Sequence, residues 1–186
     1  MVSIAEQAKQ VPKNATPFGF DATEILYPSV NTCATISLVG ARGLAGLHLG
    51  LVMGDVITQG VREGEHSQMI DQAYLDMYLN VLRQQAHVKA ATVSQAKLLG
   101  KTVERRVLEA LYVAGALEIW KGNAAAQWKR LKSSVDKWAG ESNIKPRYFQ
   151  FDDKVAETVD IHVRRAGVSF TKAGTATAVG TLAFIP

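Results

Sequence analysis

Apolar residues recur at strand spacing in some parts of the chain and at helix spacing in others. Residues 33–39 (Cys-Ala-Thr-Ile-Ser-Leu-Val) predict a strand, Gly40-Ala41-Arg42-Gly43 a turn, and residues 44–53 the returning strand of a hairpin. In that second strand Leu47, Leu49, Leu51 and Met53 alternate with Gly46, His48, Gly50 and Val52, so His48 faces away from the leucines. Residues 64–86 follow helical spacing, with Ile70, Tyr74, Met77 and Val81 on one stripe and Tyr78 and Leu82 beside it. Residues 89–98 predict a strand. A second helix is expected after Thr102, carrying Val103, Val107, Leu111 and Ala114. The cleanest amphipathic run is residues 123–138, where Ala124, Trp128, Leu131, Val135 and Trp138 recur at three- and four-residue steps and Ala139-Gly140 ends the helix. Residues 157–170 and 175–184 alternate and predict two strands joined near Lys172-Ala173-Gly174.

No proline lies between Ser29 and Lys145, so that stretch is expected to hold most of the regular structure. Residues 1–28, with Pro12, Pro17 and Pro28, read as an N-terminal arm whose Phe18, Phe20, Ile25, Leu26 and Tyr27 can pack on the body. Residues 29–186 then form one α+β domain, an antiparallel or mixed sheet or sandwich flanked by helices. The 186 residues suffice to bury a core without staples. With 21 Lys+Arg against 17 Asp+Glu the net charge is +4, which suits an acidic partner but argues against a nucleic-acid binder. No apolar run is long enough for a membrane span, and the N-terminus lacks the pattern of a secretory signal. The single Cys33 excludes an intrachain disulfide and any cysteine-cluster metal site. Neither a metal nor a cofactor is expected. Asp160-x-His162 and Glu65-His66 are too generic to imply one.

The informative pair is Cys33 and His48. A thiol becomes a nucleophile when a neighbouring imidazole takes its proton. A loop of Gly40 to Gly43 sets Thr35 opposite His48 and makes Cys33 a same-face diagonal neighbour, about 7–8 Å away between Cα atoms. A tighter Gly40-Ala41 loop sets Cys33 directly opposite His48, at about 4.5–5.5 Å. An odd loop or one bulge separates them. Gly46 and Gly50 flank His48 on its face and leave room for the ring and for a substrate backbone. Backbone N–H groups of Thr32 and Cys33 are candidate oxyanion donors. Against this stands the common role of a lone Cys as a small buried hydrophobe.

Asn31-Thr32-Cys33-Ala34-Thr35-Ile36 followed by Ala45-Gly46-Leu47-His48 resembles the Cys-then-His strand pair of the glutamine deamidases. These are the CheD-like chemotaxis receptor deamidases and the catalytic domains of cytotoxic necrotizing factor-type toxins. The likeness spans residues 31–48 in motif. It extends over residues 29–185 in expected order, through a helix bearing Asp71, Tyr74 and Asp76, a strand near Lys89 to Leu98, a helix near Glu104-Arg105-Arg106-Val107 and paired C-terminal strands. Those families carry Ser-Gly-Cys or Gly-Ser-Cys where this chain has Asn31-Thr32-Cys33. Their His is oriented by an upstream Thr side chain or main-chain carbonyl. Tyr27 stands six residues before Cys33, so Ser29, Asn31 or a carbonyl near Tyr27 are the candidate orienters. The resemblance implies Cys33 as nucleophile, His48 as general base, and a protein substrate presenting a glutamine. Deamidation and transglutamination share this dyad. The missing signal pattern and the single cysteine lead to the expectation of a cytoplasmic protein, or of a toxin or effector that reaches a target-cell cytoplasm by a leaderless route. The rival expectation is an interaction module with an inert Cys33 and a basic docking face of Lys121, Lys129, Arg130, Lys132 and Lys137.

Overall fold

The computed structural model describes residues 1–5, 17–50, 72–152 and 156–186. Its centre is a sheet whose strands are buried on both faces. β4 (Ala34–Gly40) and β5 (Gly43–Leu49) have no exposed residue along their length. β4 pairs antiparallel with β5 and with β8 (Ala110–Gly115). β8 runs parallel to β9 (Arg147–Phe151), and β13 (Thr181–Ala183) and β2 (Phe18–Asp21) form the two edges. A second sheet holds β1 (Val2–Ser3), β3 (Glu24–Val30), β10 (Val159–Arg164), β11 (Gly167–Lys172) and β12 (Ala178–Val179) in that order. β6 (Thr92–Leu98) and β7 (Lys101–Val107) form a separate two-stranded ribbon.

Two cores follow from this layering. Between the sheets, Ile25, Tyr27, Ile161 and Phe170 meet Cys33, Val39, Leu44 and Ala114. On its other face the central sheet offers Ile36, Leu38, Leu47, Leu49 and Val113 to three helices. These are α1 (Gln72–Lys89), α2 (Leu117–Asn123) and α3 (Ala125–Ser142). Each fully buried Leu, Ile or Val contributes about 1.5–3 kcal/mol. The chain is thus an α+β domain with two mixed sheets flanked by helices, the expected class.

Several elements differ from expectation. Within the arm expected over residues 1–28, residues 18–21 and 24–28 belong to the sheets: β2 borders the central sheet, and β3 runs through position 28 between β1 and β10. The strand expected over 89–98 is β6, after α1 has run on to Lys89. The helix expected after Thr102 is β7 and β8. Leu99 (φ 51°) and Gly100 (φ 76°) make the two-residue turn with both φ positive that closes a hairpin. In β8, Leu111 faces the helices while Ala114 faces the other sheet. An apolar run buried on both faces carries no period to tell strand from helix. In α1 the buried stripe is Leu75, Leu79, Leu82 and Ala86, and Met77 is 46% exposed; Ile70 lies outside the described residues. Two apolar stripes overlap in that sequence, and packing selects the leucines. Residues 157–170 fold as a hairpin turning at Arg165-Ala166, and 175–184 as two short strands in different sheets. The expected stripe of α3 is buried throughout, from Ala124 to Trp138, and the helix runs on to Ser142 before Asn143 closes it in the left-handed conformation.

Candidate functional site

Gly40 pairs with Gly43 across the two-residue turn Ala41-Arg42, and the even register sets Thr35 opposite His48. The inner face of this hairpin therefore presents Thr35, Ser37, Gly46 and His48 to the second sheet. Cys33 lies one residue before β4, and its carbonyl accepts the Ala116 N–H at 3.0 Å, one step past the Ala34–Gly115 pair. It thereby keeps inner-face parity and lies diagonal to His48, about 7–8 Å away between Cα atoms. The wider of the two expected loops is the one formed. Gly115 makes this approach possible: its φ is +137°, and a Cβ there would stand 2.2 Å from the Cys33 carbonyl oxygen.

His48 is oriented by backbone. Its Nδ1 lies 2.9 Å from the Ile4 carbonyl oxygen, and Nε2 is buried with no hydrogen-bond partner. A carbonyl only accepts, so the proton sits on Nδ1 and Nε2 carries a lone pair. Burial pushes the imidazole down to about 4, against a smaller upward effect of the Ile4 carbonyl. His48 is therefore neutral at pH 7.

Ser29 and Asn31 are turned to other tasks. The Ser29 N–H donates to Asp160 Oδ1 at 2.8 Å, with Ser29 at φ 54°. Asn31 Oδ1 accepts from the Thr32 N–H at 2.6 Å and from the Thr32 hydroxyl at 3.2 Å. The Thr32 N–H, a candidate oxyanion donor, is thus already committed. The Thr32 carbonyl accepts from the indole of fully buried Trp120 at 2.9 Å, which ties α2 to the segment before Cys33. The space beside Gly46 is filled from within by the Tyr27 hydroxyl and Ile4 Cδ1, not left for substrate.

The carbonyl of Ile4 has no signature in residue type, so no sequence pattern marks it. Tyr27 reads in the sequence as apolar packing, and Trp120, beside Lys121, is ambiguous there between core and exposed surface. Polarity is the one signal that was available: Cys33, Thr35, Ser37 and His48 all lie on one face of one hairpin. All four are buried; Thr35 donates to the Ala114 carbonyl at 3.0 Å and Ser37 bonds the Tyr27 hydroxyl at 2.6 Å, whereas His48 Nε2 has no hydrogen-bond partner.

Stability should depend on pH through His48. The unfolded chain takes up a proton near 6.5, whereas the folded chain resists down to about 4. Stability is therefore complete above 6.5, declines as pH falls from there, and levels below about 4, having lost about 3 kcal/mol. Urea midpoints across this range should show the decline, and His48→Asn should remove the part due to one proton.

Much of the basic face is already engaged. Arg130 pairs with Asp76 at 2.6 Å and Lys132 with Asp136 at 2.6 Å. Lys121 lies over the Phe184 ring and reaches the Ile185 carbonyl. His162 bonds Glu24 and Thr171 on the second sheet. Glu65 and His66 lie outside the described residues. Among the described residues no group of His, Cys, Asp and Glu is arranged to hold a metal ion, and no helix is long and apolar enough to cross a membrane. No protein-family model matches this chain, and no curated protein matches it.

Proposed function

We propose that this chain is a cysteine-dependent amidohydrolase that deamidates a protein glutamine, as its resemblance to the Cys-His deamidases implies. The observation that carries the reading is the state of His48. Its Nδ1–H is held by the Ile4 carbonyl, its bare Nε2 lies on the same inner face as Cys33, and it is neutral at pH 7. A neutral imidazole with one unprotonated nitrogen is the form in which histidine accepts a proton.

Nε2 takes the thiol proton as Sγ of Cys33 bonds to the side-chain amide carbon of the glutamine. The C–N bond then breaks, and the same proton leaves with ammonia. Water hydrolyses the thioester, giving glutamate and restoring the thiol. An amine in place of water would give transglutamination. Cys33 and His48 both have 0% exposure, so the amide reaches Sγ only when the covering residues move aside. A cysteine kept as a thiol suits a reducing compartment, its own cytoplasm or that of a target cell.

Incubation with glutamine-rich casein, followed by mass spectrometry of its peptides and an ammonia assay, tests the reading. Gln-to-Glu conversion is expected with the native chain and not with Cys33→Ala. Equal conversion by both would contradict it.

A further inference from the structure

Beneath the dyad lies a buried tyrosine that the reaction as written does not use. Tyr27 on β3 crosses the gap between the sheets and has no exposed area. Its ring meets the His48 ring edge to face, with centroids 5.6 Å apart and planes at 85°. Its hydroxyl donates to the Ile36 carbonyl at 3.0 Å and bonds Ser37 Oγ at 2.6 Å. Both anchors belong to β4, the strand next to the one bearing His48. A Cβ on Gly46 would stand 2.2 Å from that hydroxyl, so the glycine two residues before His48 is what lets the phenol lie across β5.

Resting on the dyad reading, we infer that Tyr27 is a positioning residue: its clamped ring fixes the plane of His48 and so holds Nε2 on the face it shares with Cys33. One hydrogen bond, from Nδ1 to the Ile4 carbonyl, leaves an imidazole free to swing about the N–H···O axis. A second ring packed perpendicular to it, with centroids 5.6 Å apart, removes that freedom. The arrangement needs all three parts: the phenol ring as wall, Ser37 and the Ile36 carbonyl as anchor, and the missing side chain at Gly46 as seat. Burial also raises the Tyr27 hydroxyl above its ordinary range, so it stays a neutral donor throughout the working pH.

Iodoacetamide labelling of Cys33 at about pH 6 and about pH 9.5 separates positioning from packing, because only the lower value needs the base while the thiol ionises unaided near 8.5. Tyr27→Leu should slow labelling at the lower pH by about tenfold or more and leave the higher value little changed. Tyr27→Phe keeps the ring and should restore most of the lower-pH rate. A core merely loosened by Tyr27→Leu would instead label faster at both values, and that result would overturn the inference. So would equal lower-pH rates in the native chain and Tyr27→Leu while His48→Ala slows labelling. If His48→Ala itself changes nothing, it is the dyad reading that fails.

Discussion

Ammonia release from benzyloxycarbonyl-Gln-Gly should fall by about 10²–10⁴-fold in His48→Ala, the usual contribution of a positioned general base. Removing residues 1–5 should reproduce most of that loss although no catalytic side chain is deleted. The reason is the Ile4 carbonyl: without it, Nδ1 lacks its acceptor in a buried site, and the proton is free to move to Nε2. An imidazole protonated at Nε2 cannot accept the thiol proton. Ser29→Ala and Asn31→Ala should stay within about twofold of the native chain, since His48 bonds the Ile4 carbonyl through Nδ1 and neither of these side chains through Nε2. Thermal unfolding of the shortened chain must accompany the assay, because Ile4 also fills the core between Gly19 and Gly46. A Ser29→Ala loss as large as that of His48→Ala would show that the orienter is misassigned.

The largest loss of stability is expected at Trp120. It is the largest of the fully buried side chains, and it joins packing to polarity. Its ring belongs to the core between the central sheet and the helices, while Nε1–H reaches the Thr32 carbonyl. Trp120→Ala should destabilise the chain by about 3–5 kcal/mol, the usual range for emptying such a site. Trp120→Phe keeps most of the volume but strands the Thr32 carbonyl, which costs about 1–3 kcal/mol. Urea unfolding of both variants checks the values. A Trp120→Phe variant as stable as the native chain would mean that the indole hydrogen bond does not hold the segment before Cys33 in place.

Part of this was legible in the residues. The β4–β5 hairpin announced itself by its glycines and by the alternation around His48, and an even register was enough to place Cys33 and His48 on one face. The α3 stripe was legible because two tryptophans and three aliphatic residues leave no competing phase. β8 was not, since burial on both faces erases periodicity. The hairpin of β6 and β7 was hidden because its turn begins with Leu99, a residue that seldom takes positive φ. The strands of residues 18–30 were masked by prolines, which are tolerated here at strand margins and beside bulges. In the site, side-chain chemistry pointed to Cys33 and His48. The orienting group is a main-chain carbonyl brought from 44 positions upstream of His48 in the chain, which only the folded topology supplies.

The most direct test is the pH profile of Cys33 alkylation by iodoacetamide in the native chain and in His48→Ala. In the native chain, labelling should persist well below the free-thiol value near 8.5. His48→Ala should instead climb about tenfold per pH unit toward the free-thiol value near 8.5. Superimposable profiles, or a thiol silent until the chain unfolds, would contradict a Cys33–His48 dyad and leave Cys33 as a core residue.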